Sequence, residues 1–107
     1  MKRIAILAAT SLPLALFAAG EPELSLVLEN HRFTPDRLEI PAGKKVKVTV
    51  ENKDATPEEF ESNLLKIEKV IPGKSKGIVF IGPLKAGEYP FVGEYNEKTA
   101  KGVVVAK

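Results

Sequence analysis

Cysteine is missing from this sequence altogether. Its absence excludes disulfide bonds, thiolate metal ligation, thiol catalysis and lipid attachment through a cysteine. Tryptophan is missing too, the only histidine is His31, and the only methionine is Met1. With one imidazole and no serine motif with an orienting partner, the chain lacks the parts for nucleophilic or metal-hydrolytic catalysis, so no enzyme is expected. An excess of charge of one sign is also lacking. The formal net charge is +2. Lys2 and Arg3 lie in the opening segment, and the 87 residues after Gly20 hold 14 basic against 14 acidic side chains. Lysines interleave with glutamates there, so no basic face for nucleic acid forms.

Long apolar runs are scarce as well. The single candidate, Ile4 to Ala19, is interrupted by Thr10, Ser11 and Pro13 and is short for a membrane span, which needs about 20 apolar residues. A basic start and the small residues Ala18 and Gly20 give residues 1–20 the pattern of a secretory signal peptide, helical in its apolar centre. Cleavage is expected after Gly20, with Ala19 as the alternative. Residues 21–107 then form one periplasmic or secreted domain with no membrane span, held by its apolar core alone.

What is present reads as short strands. Leu24, Leu26 and Leu28 alternate with more polar neighbours, and Val46, Val48 and Val50 alternate with Lys45, Lys47, Thr49 and Glu51. Asn30 to Pro35 reads as a loop, Leu38 and Ile40 as a short strand ending at the Pro41-Ala42-Gly43-Lys44 turn. Leu65 and Ile67 alternate with Lys66 and Glu68, and Val70-Ile71 runs into Pro72-Gly73. Ile78 to Ile81 is a further apolar run, and Gly102 leads into Val103-Val104-Val105. Gly82, Pro83 and Gly87 punctuate the chain before Tyr89, Phe91 and Tyr95, which share one parity and are expected as core or site-wall rings. Thr56-Pro57-Glu58-Glu59 supports two readings equally. It can start a capped helix, or the chain can be extended from Glu59 with Phe60 packed inward. Many short strands between turn signals make an all-β sandwich the economical fold.

Extended backbone would place Glu59 and Glu61 on one face, roughly 6.5 to 7 Å apart at the backbone. Glu94, from a neighbouring strand, would add a third carboxylate, and Asn96 an amide oxygen. Three carboxylates with nothing basic between them repel one another, and a multivalent cation relieves that repulsion. His31 is read as a loop or surface residue, distant in sequence from these groups.

From Leu24 to Lys107 the chain resembles the cupredoxins, small exported Greek-key β-sandwiches. The resemblance rests on Phe33-Thr34-Pro35, Ile40-Pro41-Ala42-Gly43, Val50-Glu51-Asn52-Lys53-Asp54, Pro72-Gly73, Gly87-Glu88-Tyr89-Pro90-Phe91 and Gly102 before the terminal valines. A blue-copper member would carry a histidine in the region of Glu58, Glu59 and Glu61, a cysteine in that of Gly93 and Glu94, and a second histidine in that of Asn96. Without the thiolate, single-electron shuttling is disfavoured. Glu-Phe-Glu at 59–61 and Gly-Glu-Tyr at 93–95 resemble a cupredoxin-like subset without the cysteine, found in periplasmic iron or copper handling, including proteins that serve iron permeases. That resemblance implies a copper or iron ion held by Glu59, Glu61, Glu94 and Asn96, with a membrane iron permease or another periplasmic component as partner. The alternative is a metal-free accessory or interaction module whose site is degenerate.

Overall fold

The computed structural model describes residues 21–107. The expected signal segment, residues 1–20, lies outside the described residues. Nine strands follow in order: β1 (Glu23–Glu29), β2 (Arg32–Thr34), β3 (Arg37–Ile40), β4 (Val46–Asn52), β5 (Glu58–Ser62), β6 (Ile67–Ile71), β7 (Ser75–Ile81), β8 (Gly87–Gly93) and β9 (Lys101–Ala106). They form two facing sheets with strand orders β2-β1-β4-β7 and β3-β9-β8-β5-β6. Both sheets are mixed: β1 runs parallel to β4 and β3 parallel to β9, while the other pairs are antiparallel.

Alternation decides which side chains meet between the sheets. Leu26 and Leu28 of β1 and Val46, Val48 and Val50 of β4 are buried and face Phe60, Ile71, Phe91 and Val104 of the five-stranded sheet. At the centre, Phe60 and Phe91 stack with ring centroids 4.9 Å apart, and Phe33 closes on both edge-on at 6.0 and 5.2 Å. Offset stacks and T-shaped contacts of this kind suit the quadrupoles of the rings.

Several expectations needed correction. The segment read as a loop from Asn30 contains β2, because Asn30 and His31 both take positive φ (55° and 56°) and turn the chain back in two residues. Two successive left-handed residues match the right-handed twist of a hairpin, so Arg32–Thr34 pairs with β1. The helix reading of 56–59 loses to the extended one, since Glu58–Ser62 is paired with β6 on one side and β8 on the other. Leu65 stands in a turn, with Lys66 at φ 58°, and β6 begins only at Ile67. Tyr95 does not continue the parity of Tyr89 and Phe91. Strand β8 ends at Gly93, and Tyr95 sits in a 3-10 turn (Glu94–Asn96) with 54% of its surface exposed.

Asn52 knits together the end of the sandwich where β4 stops. Its Nδ2 donates to the carbonyls of Thr56 (2.9 Å), Ile71 (3.1 Å) and Pro72 (3.3 Å), and its Oδ1 accepts the Asp54 amide at 3.0 Å. Asp54 in turn accepts the amides of Asn30 and His31 at 2.7 and 3.0 Å. The loop before β5 is thereby fixed, and the start of β5 lies beside the end of β6. His31 has the loop role expected of it, exposed, with Nδ1 3.5 Å from Asp54 Oδ2.

Candidate metal centre

Strand β5 carries two sets of carboxylates on opposite faces. Glu58, Phe60 and Ser62 point into the sandwich and are buried, whereas Glu59 and Glu61 are half-buried on the outer face of the five-stranded sheet. The register sets Phe60 opposite Gly93 and Glu61 opposite Val92 of β8. Immediately after Gly93 the 3-10 turn begins, which brings Glu94 over the outer face. Glu59, Glu61 and Glu94 each offer one carboxylate oxygen, and these three oxygens lie within 4.8 Å of one another.

Among the described residues no cationic side chain pairs with this group. The ion pairs of the described residues join His31 to Asp54, Arg37 and Lys107 to Glu39, and Lys45 to Glu21, and none reaches the trio. A fourth acid stands close, because Glu68 of β6 is the direct cross-strand partner of Glu61. Like charges in that position destabilise a sheet. The hydrogen bond with Glu94, followed by partial desolvation and the charges of Glu94, Glu68 and Glu59, pushes the Glu61 carboxyl up to about 7. Glu59 is raised too, first by the Glu94 hydrogen bond, then by partial desolvation and the charges of Glu94, Glu68 and Glu58. An open groove of about 340 Å³, lined by Glu61, Leu64, Val92 and Glu97 among others, borders the cluster.

The donor set fits a hard or borderline cation. Oxygens bound 2.0 to 2.6 Å from one ion lie no more than roughly 5 Å apart, so the observed spacing needs little movement of flexible side chains. The Asn96 amide is engaged with the neighbouring buried acid: its Nδ2 donates to Glu58 Oε2 at 2.8 Å.

Glu58 is the residue that sequence reasoning undervalued. It is only 2% exposed, and its Oε1 accepts the amides of Glu59 (2.9 Å) and Tyr95 (2.8 Å). The signal was available: once Phe60 is placed inward, period-2 alternation places Glu58 inward with it. Its side chain fills the space beside Gly93. A Cβ on Gly93 would stand 2.7 Å from Glu58 Cδ and 2.8 Å from Ala100 Cβ, so glycine is required there by close approach.

The raised Glu61 carboxyl gives a pH prediction. A folded-state value of about 7 lies above the ordinary 4.5, so the folded protein holds the extra proton and repulsion is fully present only above that value. The melting temperature of the metal-free protein should rise as pH falls from about 8 to about 5.5, and Glu94→Gln should flatten the rise. A wild-type melting temperature that falls over this window would contradict the proximity of the three carboxylates.

A family model described as a cupredoxin-like domain matches residues 2–106. An uncharacterized protein of Rickettsia prowazekii (strain Madrid E) is 32% identical over 83 residues, covering 78% of this chain and 66% of the relative, so the chain spans just under two thirds of that relative's length. Among solved structures, a copper binding protein in the apo form superposes with a TM-score of 0.69 at 18% identity, over 79% of this chain and 86% of the other. The metal binding domain of the Cu(I)-exporting P-type ATPase of Streptococcus pneumoniae D39 gives 0.64 at 16% identity, over 79% and 84%. A purple cupredoxin from Nitrosopumilus maritimus gives 0.62 at 18% identity, over 78% and 99%. At these identities the structural likeness shows the fold alone.

Proposed function

Because the chain belongs to the cupredoxin-like domain family, we propose that it is a periplasmic metal-binding protein, not an enzyme, that captures or delivers copper or iron through Glu59, Glu61 and Glu94. The convergence of three carboxylate oxygens within 4.8 Å, with no cationic side chain paired to them among the described residues, carries this reading. An all-oxygen set suits Fe and Cu(II) better than Cu(I), and the absence of cysteine removes the thiolate that a blue-copper electron carrier uses. The neighbours named for copper binding and Cu(I) export favour copper, and the resemblance of residues 59–61 and 93–95 to iron-handling cupredoxin-like proteins keeps iron in the proposal. The signal-like pattern of residues 1–20 supports export. A permease or another periplasmic component would then be the giver or receiver of the ion.

In this role each residue has a plain task. Glu59 and Glu61, fixed on the outer face by the pairing of β5 on both sides, supply the static half of the site. Glu94, exposed on its turn, supplies the half that faces solvent. Release is favoured by protonation, since a carboxyl titrating at about 7 competes with a cation as pH falls.

Thermal melting of the purified protein with Cu(II), and with Fe, tests this. A metal present at about 100 times its dissociation constant stabilises by ~2.7 kcal/mol, a rise of roughly 10 °C or more for a domain of this size. Glu61→Gln combined with Glu94→Gln should fold and lose the rise. No rise with any metal would leave the metal-free interaction module as the better reading.

A further inference from the structure

We infer that Glu58 is a positioning residue: its buried carboxylate sets the distance between the two backbone segments that carry the metal-facing glutamates and does not itself ligate the ion. The inference rests on the reading of Glu59, Glu61 and Glu94 as the metal centre. Its basis is one oxygen atom. Glu58 Oε1 accepts the amide of Glu59 at 2.9 Å and that of Tyr95, the residue after Glu94, at 2.8 Å. The chain segments bearing Glu59 and Glu94 are thus clamped to a common point. Glu58 Oε2 accepts Asn96 Nδ2 at 2.8 Å, which fastens the far end of the same 3-10 turn.

Three donors converge on this carboxylate and none is a cation, so its acceptor capacity is largely used inside the protein. It also faces the interior, with Ala100 close by and the glycine at 93 making room for it, whereas the trio faces outward. A short turn after a strand end has few constraints of its own. The 94–100 loop is otherwise held by bonds at its base and within itself: Gly93 N to Ala100 O and Ala100 N to Asn96 O, both 2.8 Å, with Thr99 N and Oγ1 donating to Asn96 O at 3.1 and 3.4 Å. None of those bonds reaches β5. The β5–β8 ladder ends at the Phe60–Gly93 pair, and beyond it Glu58 supplies the side-chain link from β5 to the turn. Outer-shell partners of this kind set ligand geometry and affinity.

The test compares three substitutions by Cu(II) titration calorimetry, Cu(II) electron paramagnetic resonance and amide hydrogen exchange of the metal-free protein. Glu58→Leu keeps bulk and removes both acceptors, and it should weaken Cu(II) binding roughly 10- to 100-fold and speed exchange at the Tyr95 amide. Glu58→Gln retains one acceptor oxygen for both amides, and rotation of the Asn96 amide satisfies its new donor. It should change affinity no more than about three-fold and leave the resonance spectrum unchanged. Ser62→Ala removes a different inward bond of β5, from Ser62 Oγ to the Pro90 carbonyl at 2.7 Å, and should cost stability without loss of affinity.

A Gln variant as weak as the Leu variant would make Glu58 a ligand or a required charge and would overturn the inference, as would unchanged affinity in the Leu variant. If the wild type binds neither Cu(II) nor Fe, the metal reading fails separately, and exchange at Tyr95 still decides whether Glu58 anchors the turn. Should Glu58→Leu not fold, fast exchange at Tyr95 in the folded wild type or in the Gln variant is the overturning result.

Discussion

Phe91→Ala lowers the unfolding free energy by about 3 to 5 kcal/mol, seen as a lower denaturant midpoint with little change in slope. The ring lies at the junction of three others' contacts: it stacks on Phe60, receives the edge of Phe33, and leans on Gly102, where a Cβ would come within 2.5 Å of its Cζ. Truncation leaves a hole that two strands of one sheet and the β2 hairpin of the other cannot collapse into together. A small domain has ~5 to 15 kcal/mol in total, so this change alone brings the protein near its stability limit. A loss under about 1 kcal/mol would mean the aromatic cluster repacks freely and is not the joint between the sheets.

Asn52→Leu is the second large effect, with an expected loss of about 3 kcal/mol or more. Leucine matches the bulk of the side chain, so the transfer term favours the variant. The polar term decides the sign. Three carbonyls, of Thr56, Ile71 and Pro72, lose their donor, and the Asp54 amide loses its acceptor, at a position only 1% exposed. Each buried group left without a partner costs roughly 1 to 3 kcal/mol, less where water can reach it. The same bonds place the loop before β5, so hydrogen exchange should quicken across residues 53–57 ahead of global unfolding. Uniform loss of protection over the whole sandwich would instead show that Asn52 acts only through overall stability.

The sandwich was legible wherever one face is wet and the other dry. Strands β1 and β4 show leucines and valines at period 2 because their outer faces meet solvent. Strand β7 was blurred, since Ile78 and Phe80 are exposed on its outer side and Phe80 lies under Lys45, with Nζ 4.7 Å from the ring centroid. Alternation fails when both faces are apolar. β2 was hidden by its length of three residues, its place being set by the left-handed pair Asn30-His31 and by Phe33 reaching the core. For 56–59, capping chemistry and strand pattern were evenly matched, and only pairing with β6 and β8, which are remote in sequence, decides between them.

The carboxylate site was legible in part for a similar reason. The spacing of Glu59 and Glu61 gives their common face from local geometry. Glu94 joins them only because β8 lies beside β5, and a family resemblance supplied that adjacency where local pattern could not. Asn96 is held by Glu58, and the burial of that carboxylate runs against the usual exposure of glutamate. Tyr95 was misassigned because no residue type marks the end of β8 plainly. Gly93 stops the strand as much by admitting Glu58 as by its own backbone.

That shared space couples two positions 35 residues apart in the chain. The volume on the inner side of Gly93 is taken by the Glu58 side chain and bounded by Ala100 Cβ, so nothing can be added at 93 while both stay in place. Adding any side chain at 93 alone drives it into the Glu58 stem, while shortening residue 58 alone leaves a void and two amides without an acceptor. Each single replacement therefore passes through a poorer state than either end point. A thiol or any other donor at the tip of β8 becomes compatible with this sandwich only when residue 58 shortens and Ala100 gives way in concert, which ties residue 93 to both.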